Sequence, residues 1–183
     1  MKLSVREMNK GDIEDFVQYW LNASDQYLLD LGVDLKKRPT REQIEKLVND
    51  QIGVAMEKRK AYFLTWLYDN KSIGCSNLNQ IEYGKRAFMH LHIWDYMNRK
   101  KGFGAALIKK SLPFYFKNLK LQEVYCEPYA LNPAPNKVVE KIGFTFIKQY
   151  LTVPGASNFE QMVNQWKLTR ADYESIMAKN KNR

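Results

Sequence analysis

The sequence predicts one α/β domain spanning residues 1–183, with a central mixed, mostly antiparallel sheet of about six to seven strands flanked by helices. Three observations predict it. Strand-length runs rich in aromatic and β-branched residues recur along the chain. Three consecutive runs are joined only by short polar turns. From about residue 100 the pattern changes to helical and strand segments in alternation.

Leu3 to Met8 reads as a short strand. Asp12 stands where it would cap the next helix, on which Phe16, Val17, Trp20 and Leu21 share a face. Gly32-Val33-Asp34 breaks that helix. Thr40 and Gln43, directly after Pro39, have capping-box spacing and start a second helix. Its apolar stripe is Ile44, Leu47, Val48 and Ala55. Ala61–Tyr68, Ser72–Gln80 and Arg86–Trp94 are separated by Asp69-Asn70-Lys71 and Tyr83-Gly84-Lys85, which predicts an antiparallel meander. A helix from Gly102 to Leu119, a strand from Glu123 to Glu127 and a helix from Pro133 to Ile142 follow. Strands at Phe144–Leu151 and Phe159–Leu168 precede a short helix at Arg170–Met177. Pro113 falls inside the longest helix, where a proline costs roughly 3 kcal/mol. Leu107, Ile108, Leu112, Phe116 and Leu119 keep the helical period past it, so the spacing predicts a kink.

The formal net charge of +9 favours anionic partners. Its basic residues are dispersed, apart from Arg99-Lys100-Lys101 and the Lys179–Arg183 tail, and no aromatic-interleaved pattern points to nucleic acid. No run of about 18 apolar residues exists to span a membrane. Met1 to Arg6 carries no apolar secretory segment. The two cysteines, Cys75 and Cys126, have no metal-ligand spacing, and isolated thiols suit a reducing cytoplasm. A cytoplasmic protein without a metal is therefore expected. Nothing in the sequence fixes the oligomeric state, and a homodimer is compatible with it.

The most informative segment is Arg99-Lys100-Lys101-Gly102-Phe103-Gly104-Ala105, between a strand and a helix. Its glycines allow a tight turn and close approach of a ligand to the backbone. The unpaired N–H groups and partial positive charge of the following helix suit a diphosphate, and three cations lie in the same loop. Leu107 stands where a dinucleotide fingerprint would have its third glycine, and no Gly-Lys-Ser/Thr marks a nucleotide P-loop.

Arg99, Gly102 and Gly104 match Arg/Gln-x-x-Gly-x-Gly/Ala, and here the chain resembles the GNAT superfamily of N-acetyltransferases. A second match, Asn132 to Phe144, is similar to the family's Asn-containing helix ending in Glu-Lys-x-Gly-Phe. Trp166 to Tyr173 is similar to the branch that contains ribosomal-protein alanine acetyltransferases. The resemblance is strongest from Arg86 to Gly143 and implies the GNAT fold. It also implies direct acetyl transfer from acetyl-CoA to an amine, on a small molecule or a protein N-terminus. The strand ending near Trp94 would splay from the one beginning near Glu123. Ile93 and Trp94 would offer backbone groups to pantetheine, and Lys100, Lys101, Gly102, Phe103, Gly104 and Ala105 would hold the diphosphate with their amides. Asn132 would contact the pantetheine region, while Asn136 or Lys141 would lie near the nucleotide end. The position of the family's frequent tyrosine acid is Val139, which leaves Tyr125, Tyr129 or Tyr150 as substitutes and a catalytically silent acyl-CoA-binding module as the alternative reading.

His90 and His92 fall on one face of a strand by its two-residue period, and histidine is a natural proton acceptor near neutral pH. Serotonin acetyltransferases place a similar pair on the corresponding strand. Both are the catalytic candidates, with Glu82, Asp95 and Glu127 as further carboxylates near the site. Cys126 reads as an unreactive thiol, lacking a paired base. Acceptor choice is expected to lie in residues 12–56 and in the Thr152–Phe159 loop.

Overall fold

The computed structural model describes residues 2–94, 96–99 and 101–181. Its frame is a seven-stranded sheet in the order β1-β2-β3-β4-β5-β7-β6. The strands are β1 (Leu3–Glu7), β2 (Tyr62–Tyr68), β3 (Lys71–Glu82), β4 (Arg86–Ile93), β5 (Glu123–Cys126), β6 (Thr145–Thr152) and β7 (Gln161–Thr169). The β2-β3-β4 meander forms as expected. Among the paired strands β4 and β5 run parallel and every other pair is antiparallel.

Alternation along β2 sends its side chains to two separate cores. Tyr62, Leu64 and Trp66 enter the larger one, with α4 (Phe103–Pro113), α5 (Pro133–Ile142) and Tyr173 of α6 (Arg170–Lys181). Ala61 and Phe63 face the opposite way, towards α1 (Ile13–Asn22) and α3 (Arg41–Asn49). Inside the larger core the polar atoms are satisfied in sequence. Tyr115 donates to Ser76 at 2.6 Å, Ser76 pairs with Ser111 at 3.1 Å, and Ser111 donates to the Leu107 carbonyl at 2.9 Å. Trp66 also donates to Ser111, so no hydroxyl of this group is buried without a partner.

Several local expectations are corrected. Asp12 does not cap α1; Asn9 caps a 3₁₀ turn at Lys10–Asp12 that leads into the helix. The Asp12 carboxylate instead accepts from Arg6 at 2.6 and 2.7 Å, from the Asn9 amide at 3.0 Å and from Thr65 at 2.9 Å. The first helix stops at Asn22, ahead of the glycine region, because Ser24 caps a separate α2 (Asp25–Asp30). The Thr40/Gln43 capping box is present and starts α3 at Arg41. Ile44 and Val48 are buried, but Leu47 is 49% exposed and Ala55 lies beyond the helix end. At Pro113 the helix does not simply kink. Proline has no N–H for the Lys109 carbonyl, and the chain continues as a π turn, Phe114–Asn118, that buries Tyr115 and Phe116. The last helix runs on to Lys181. No helix among the described residues is long and apolar enough to cross a membrane.

Asp12 ties β1, α1 and β2 together. Burial raises its pKa, but hydrogen bonds from Arg6, Asn9 and Thr65 outweigh that and leave the carboxyl below its usual range. A depressed carboxylate stabilises the fold above the unfolded-state pKa near 4, and this is lost as pH falls through the folded value. Asp12→Ala also leaves Thr65 buried without its acceptor. The substitution is expected to lower stability by about 2–3 kcal/mol, read as a reduced urea midpoint at unchanged slope near pH 7. The deficit should narrow as the pH is lowered towards 3.

Candidate active site

The site begins where the sheet comes apart. β4 and β5 pair only at Arg86–Glu123, Ala87–Val124 and Phe88–Tyr125. Beyond Phe88, β4 keeps its β3 partner as far as Gly74–Ile93, while β5 pairs on its other side with β7 as far as Cys126–Trp166. The side of β4 facing β5 from Met89 to Ile93 is thus left without a strand. Gly74 holds β3 against this stretch, since a Cβ there would stand 2.4 Å from the His92 carbonyl oxygen.

Behind the split, the Arg99–Ala105 loop leads into α4. Gly102 takes the left-handed conformation (φ 78°) at the N-cap, and no side chain caps the helix. A Cβ at Gly102 would meet nothing within 4 Å, so the helix end is open to an anionic group. Gly104 is buried over Ile93 and Val138, where a Cβ would meet their side chains at 3.9–4.0 Å. Alanine would therefore fit there. Phe103 packs beside Tyr68, Ala105 is half-buried, and Lys101 is exposed. Lys100 and Asp95 lie outside the described residues. Arg99 does not simply add charge to the loop: Nε and Nη2 donate to the Ile93 carbonyl at 3.1 and 2.9 Å, and its guanidinium lies 4.0 Å from the centre of the Tyr27 ring. Trp94 donates its N–H to the Ile73 carbonyl at 2.9 Å. Two of the backbone groups expected to meet pantetheine thus have protein partners here.

On the other side of β4 a cleft of about 890 Å³ opens, and His90 and His92 line it together. Tyr19 Oη lies 3.0 Å from His92 Nδ1, and the Phe16, Tyr19 and Trp20 rings surround the imidazole. His90 Nε2 is buried without a hydrogen-bond partner among the described residues. Burial pulls the His90 pKa down to about 4. His92 falls to about 3 through burial, the neighbouring His90 and the Arg99 charge. Both rings are neutral at physiological pH. Tyr19, Tyr27, Phe16 and Gly74 were not legible as site residues, because their helical or strand spacing looks the same as core packing.

The opposite wall comes from β5 and the chain after it. Glu127 accepts from Tyr150 at 2.5 Å and from Gln165 at 2.6 Å; burial and this carboxylate push the Tyr150 phenol up to about 12. Tyr129 and Asn132 line the cleft, and Asn132 caps α5 by accepting from the Ala134 amide at 3.3 Å. Asn136, expected with Lys141 as an alternative near the nucleotide end, has its side chain taken up within the fold. It is 9% exposed; its Nδ2 donates to the carbonyls of Tyr129 and Asn132, and its Oδ1 accepts from Asn164 and Trp166. That side chain is fully engaged in joining the cleft wall to β7, and Val139 is fully buried in the larger core. Tyr125 donates to Glu123 at 2.8 Å and Glu82 pairs with Arg86; neither is among the residues that line the cleft. Cys126 lines it, but burial and Glu127 push the thiol up to about 12, which leaves little thiolate. The roof is made across the chain: Gln161 and Asn158 donate to the Gly32 carbonyl at 2.7 and 2.8 Å, and Asp34 donates its N–H to the Ser157 carbonyl.

Residues 2–145 match the model of the acetyltransferase (GNAT) domain. Among solved structures, the chain is similar to the Vibrio cholerae spermidine N-acetyltransferase in complex with CoA and spermine (20% identity, 94% of this chain and 98% of that one, TM-score 0.76). It is also similar to the RimL ribosomal L7/L12 α-N-protein acetyltransferase in complex with CoA (17% identity, 94% and 96%, TM-score 0.76). The aminoglycoside acetyltransferase AAC(6')-Ib with CoA aligns at 13% identity over 95% and 98% (TM-score 0.72). At such identities the likeness concerns the fold. No curated protein matches significantly.

The two histidines of the chain make the site's electrostatics directly measurable. In a proton NMR titration, both imidazole C–H signals should stay flat between roughly pH 5.5 and 8 and move only below about pH 5. A midpoint near 6.5 for either ring would show that it is not held neutral.

Proposed function

Because the chain belongs to the GNAT acetyltransferase family, we propose that it carries the acetyl group of acetyl-CoA to a primary amine seated in the cleft beneath α1–α3, by direct attack in a ternary complex. The observation that carries this reading is the split between β4 and β5, with an open helix N-terminus on one side and the histidine-lined cleft on the other. The amides from Gly102 to Ala105 hold the diphosphate, and the Met89–Ile93 stretch of β4 lies along pantetheine. Acetyl-CoA supplies an activated acyl carbon; the protein supplies alignment and proton handling. The amine attacks as its neutral form, and His90 and His92 serve its proton and the acetyl oxygen.

The cleft bears on the acceptor class. Glu127 is the one carboxylate among the described residues lining it, while Lys36, Lys37 and Arg38 stand at its wall. Lys37 lies 3.5 Å from Asp34 and Arg38 3.6 Å from Asp25, which offsets part of that charge. A polycation would still find little to hold it, so a protein N-terminus or a small monoamine suits the cleft better than a polyamine. Two free, buried thiols support action in a reducing compartment such as the cytoplasm.

Gly102→Glu places a carboxylate where the diphosphate would sit. It is expected to weaken CoA binding at least about 100-fold by titration calorimetry, since a like charge replaces a helix-terminus site. Circular dichroism would check that the variant is folded, and unchanged affinity in a folded variant would exclude this loop as the diphosphate site. Mass spectrometry of a panel of peptides with free N-termini, monoamines and spermidine should show turnover concentrated in the first two groups.

A further inference from the structure

His92 has its Nδ1 held, and the contacts behind it run back to Arg99. Tyr19 Oη lies 3.0 Å from His92 Nδ1 and 3.1 Å from Tyr27 Oη, while the Arg99 guanidinium covers the Tyr27 ring at 4.0 Å. Each phenol has a single proton to offer. Burial and the neighbouring Tyr27 keep Tyr19 protonated, its pKa well above the phenol range. A cation on the face of Tyr27 draws electron density from the ring and makes that phenol the better donor. A chain that runs from Tyr27 to Tyr19 to His92 Nδ1 uses each phenol proton once. In that order Nδ1 is the lone-pair nitrogen, and the ring proton sits on Nε2. Nε2 has no hydrogen-bond partner among the described residues and is not sealed from the cleft that His92 lines.

We propose that His92 acts as a hydrogen-bond donor and not as a base: its Nε2–H meets the acetyl carbonyl oxygen as negative charge develops there, and Tyr19, Tyr27 and Arg99 are positioning residues that hold this tautomer. The inference rests on the acetyltransferase reading of the site. As the amine nitrogen bonds to the carbonyl carbon, the C=O π pair moves onto oxygen, where His92 stabilises it without giving up its proton. The pair then returns, the C–S bond breaks, and its electrons leave on sulfur. The proton lost by the amine passes through His90 or solvent and ends on the CoA thiolate, so atoms and charge balance with nothing oxidised or reduced. Arg99 thereby gains a second role. From the first position of the glycine loop it also reaches the acceptor side, through two aromatic rings.

Two measurements test this. In ¹⁵N-labelled protein at pH 7, two-bond proton–nitrogen correlations should find His92 as the Nε2–H tautomer, and Tyr19→Phe should shift it towards a mixture. An Nδ1–H ring in the unsubstituted protein would overturn the inference, whatever the activity. In kinetics, His92→Gln places an amide N–H near the Nε2 position but cannot take up a proton. It should keep kcat within about 10-fold, while His92→Ala should lose about 10²–10³, the usual cost of one oxyanion donor. Tyr27→Phe should lower kcat a few-fold with the acceptor KM within about twofold, as expected of positioning at the transition state. Equal losses in the Gln and Ala variants, with CoA affinity intact, would return His92 to a base. Absence of turnover on every amine would instead bring down the acetyltransferase reading, leaving the tautomer measurement to stand by itself.

Discussion

Everything at this site depends on β4 and β5 parting after three paired residues. A parallel pair that continued would bury its backbone groups and close the sheet. Here β5 turns to β7, and β4 is left with polar groups that must find other partners. Arg99 satisfies one of them at Ile93. The separation also gives the two faces different duties. α4 and α5 close the core behind β4, and α1 to α3 cover the cleft in front of it.

The two histidines of the cleft are polar but uncharged. His90 and His92 are uncharged because burial disfavours the imidazolium. Arg99 lies close enough to disfavour it further at His92. Neutral rings can take part in an acyl transfer through hydrogen bonds without first releasing a proton. The thiol of Cys126 is silenced by the same low dielectric, although it lines the same space.

The framework around the cleft is over-determined by interlocking hydrogen bonds. Asn136 joins α5, the Tyr129–Asn132 turn and β7 with every polar atom of its side chain. The Gly32 carbonyl collects both Asn158 and Gln161, and a Cβ at Gly32 would run into the Gln161 side chain. These contacts fix where acceptor-side loops stand, so the cleft shape is set by residues far apart in the chain.

The sequence by itself determined the order of the strands and of the helices other than α2, the capping box at Thr40 and the glycine loop at Gly102, because each is written in local period or in short spacing. It also placed His90 and His92 on one face of a strand, since the two-residue alternation needs no partner. Asp12 was misread as a cap because its partners, Arg6 and Thr65, become visible only when β1 and β2 pair. The partners of Asn136 were not legible, because an asparagine on a helix carries no mark of the tryptophan and asparagine it meets on β7. Only the tertiary structure brought Tyr19 and Tyr27 to His92, across more than 60 residues of chain. Long-range contacts of this kind depend on how the helices lie over the sheet, and no local pattern encodes that.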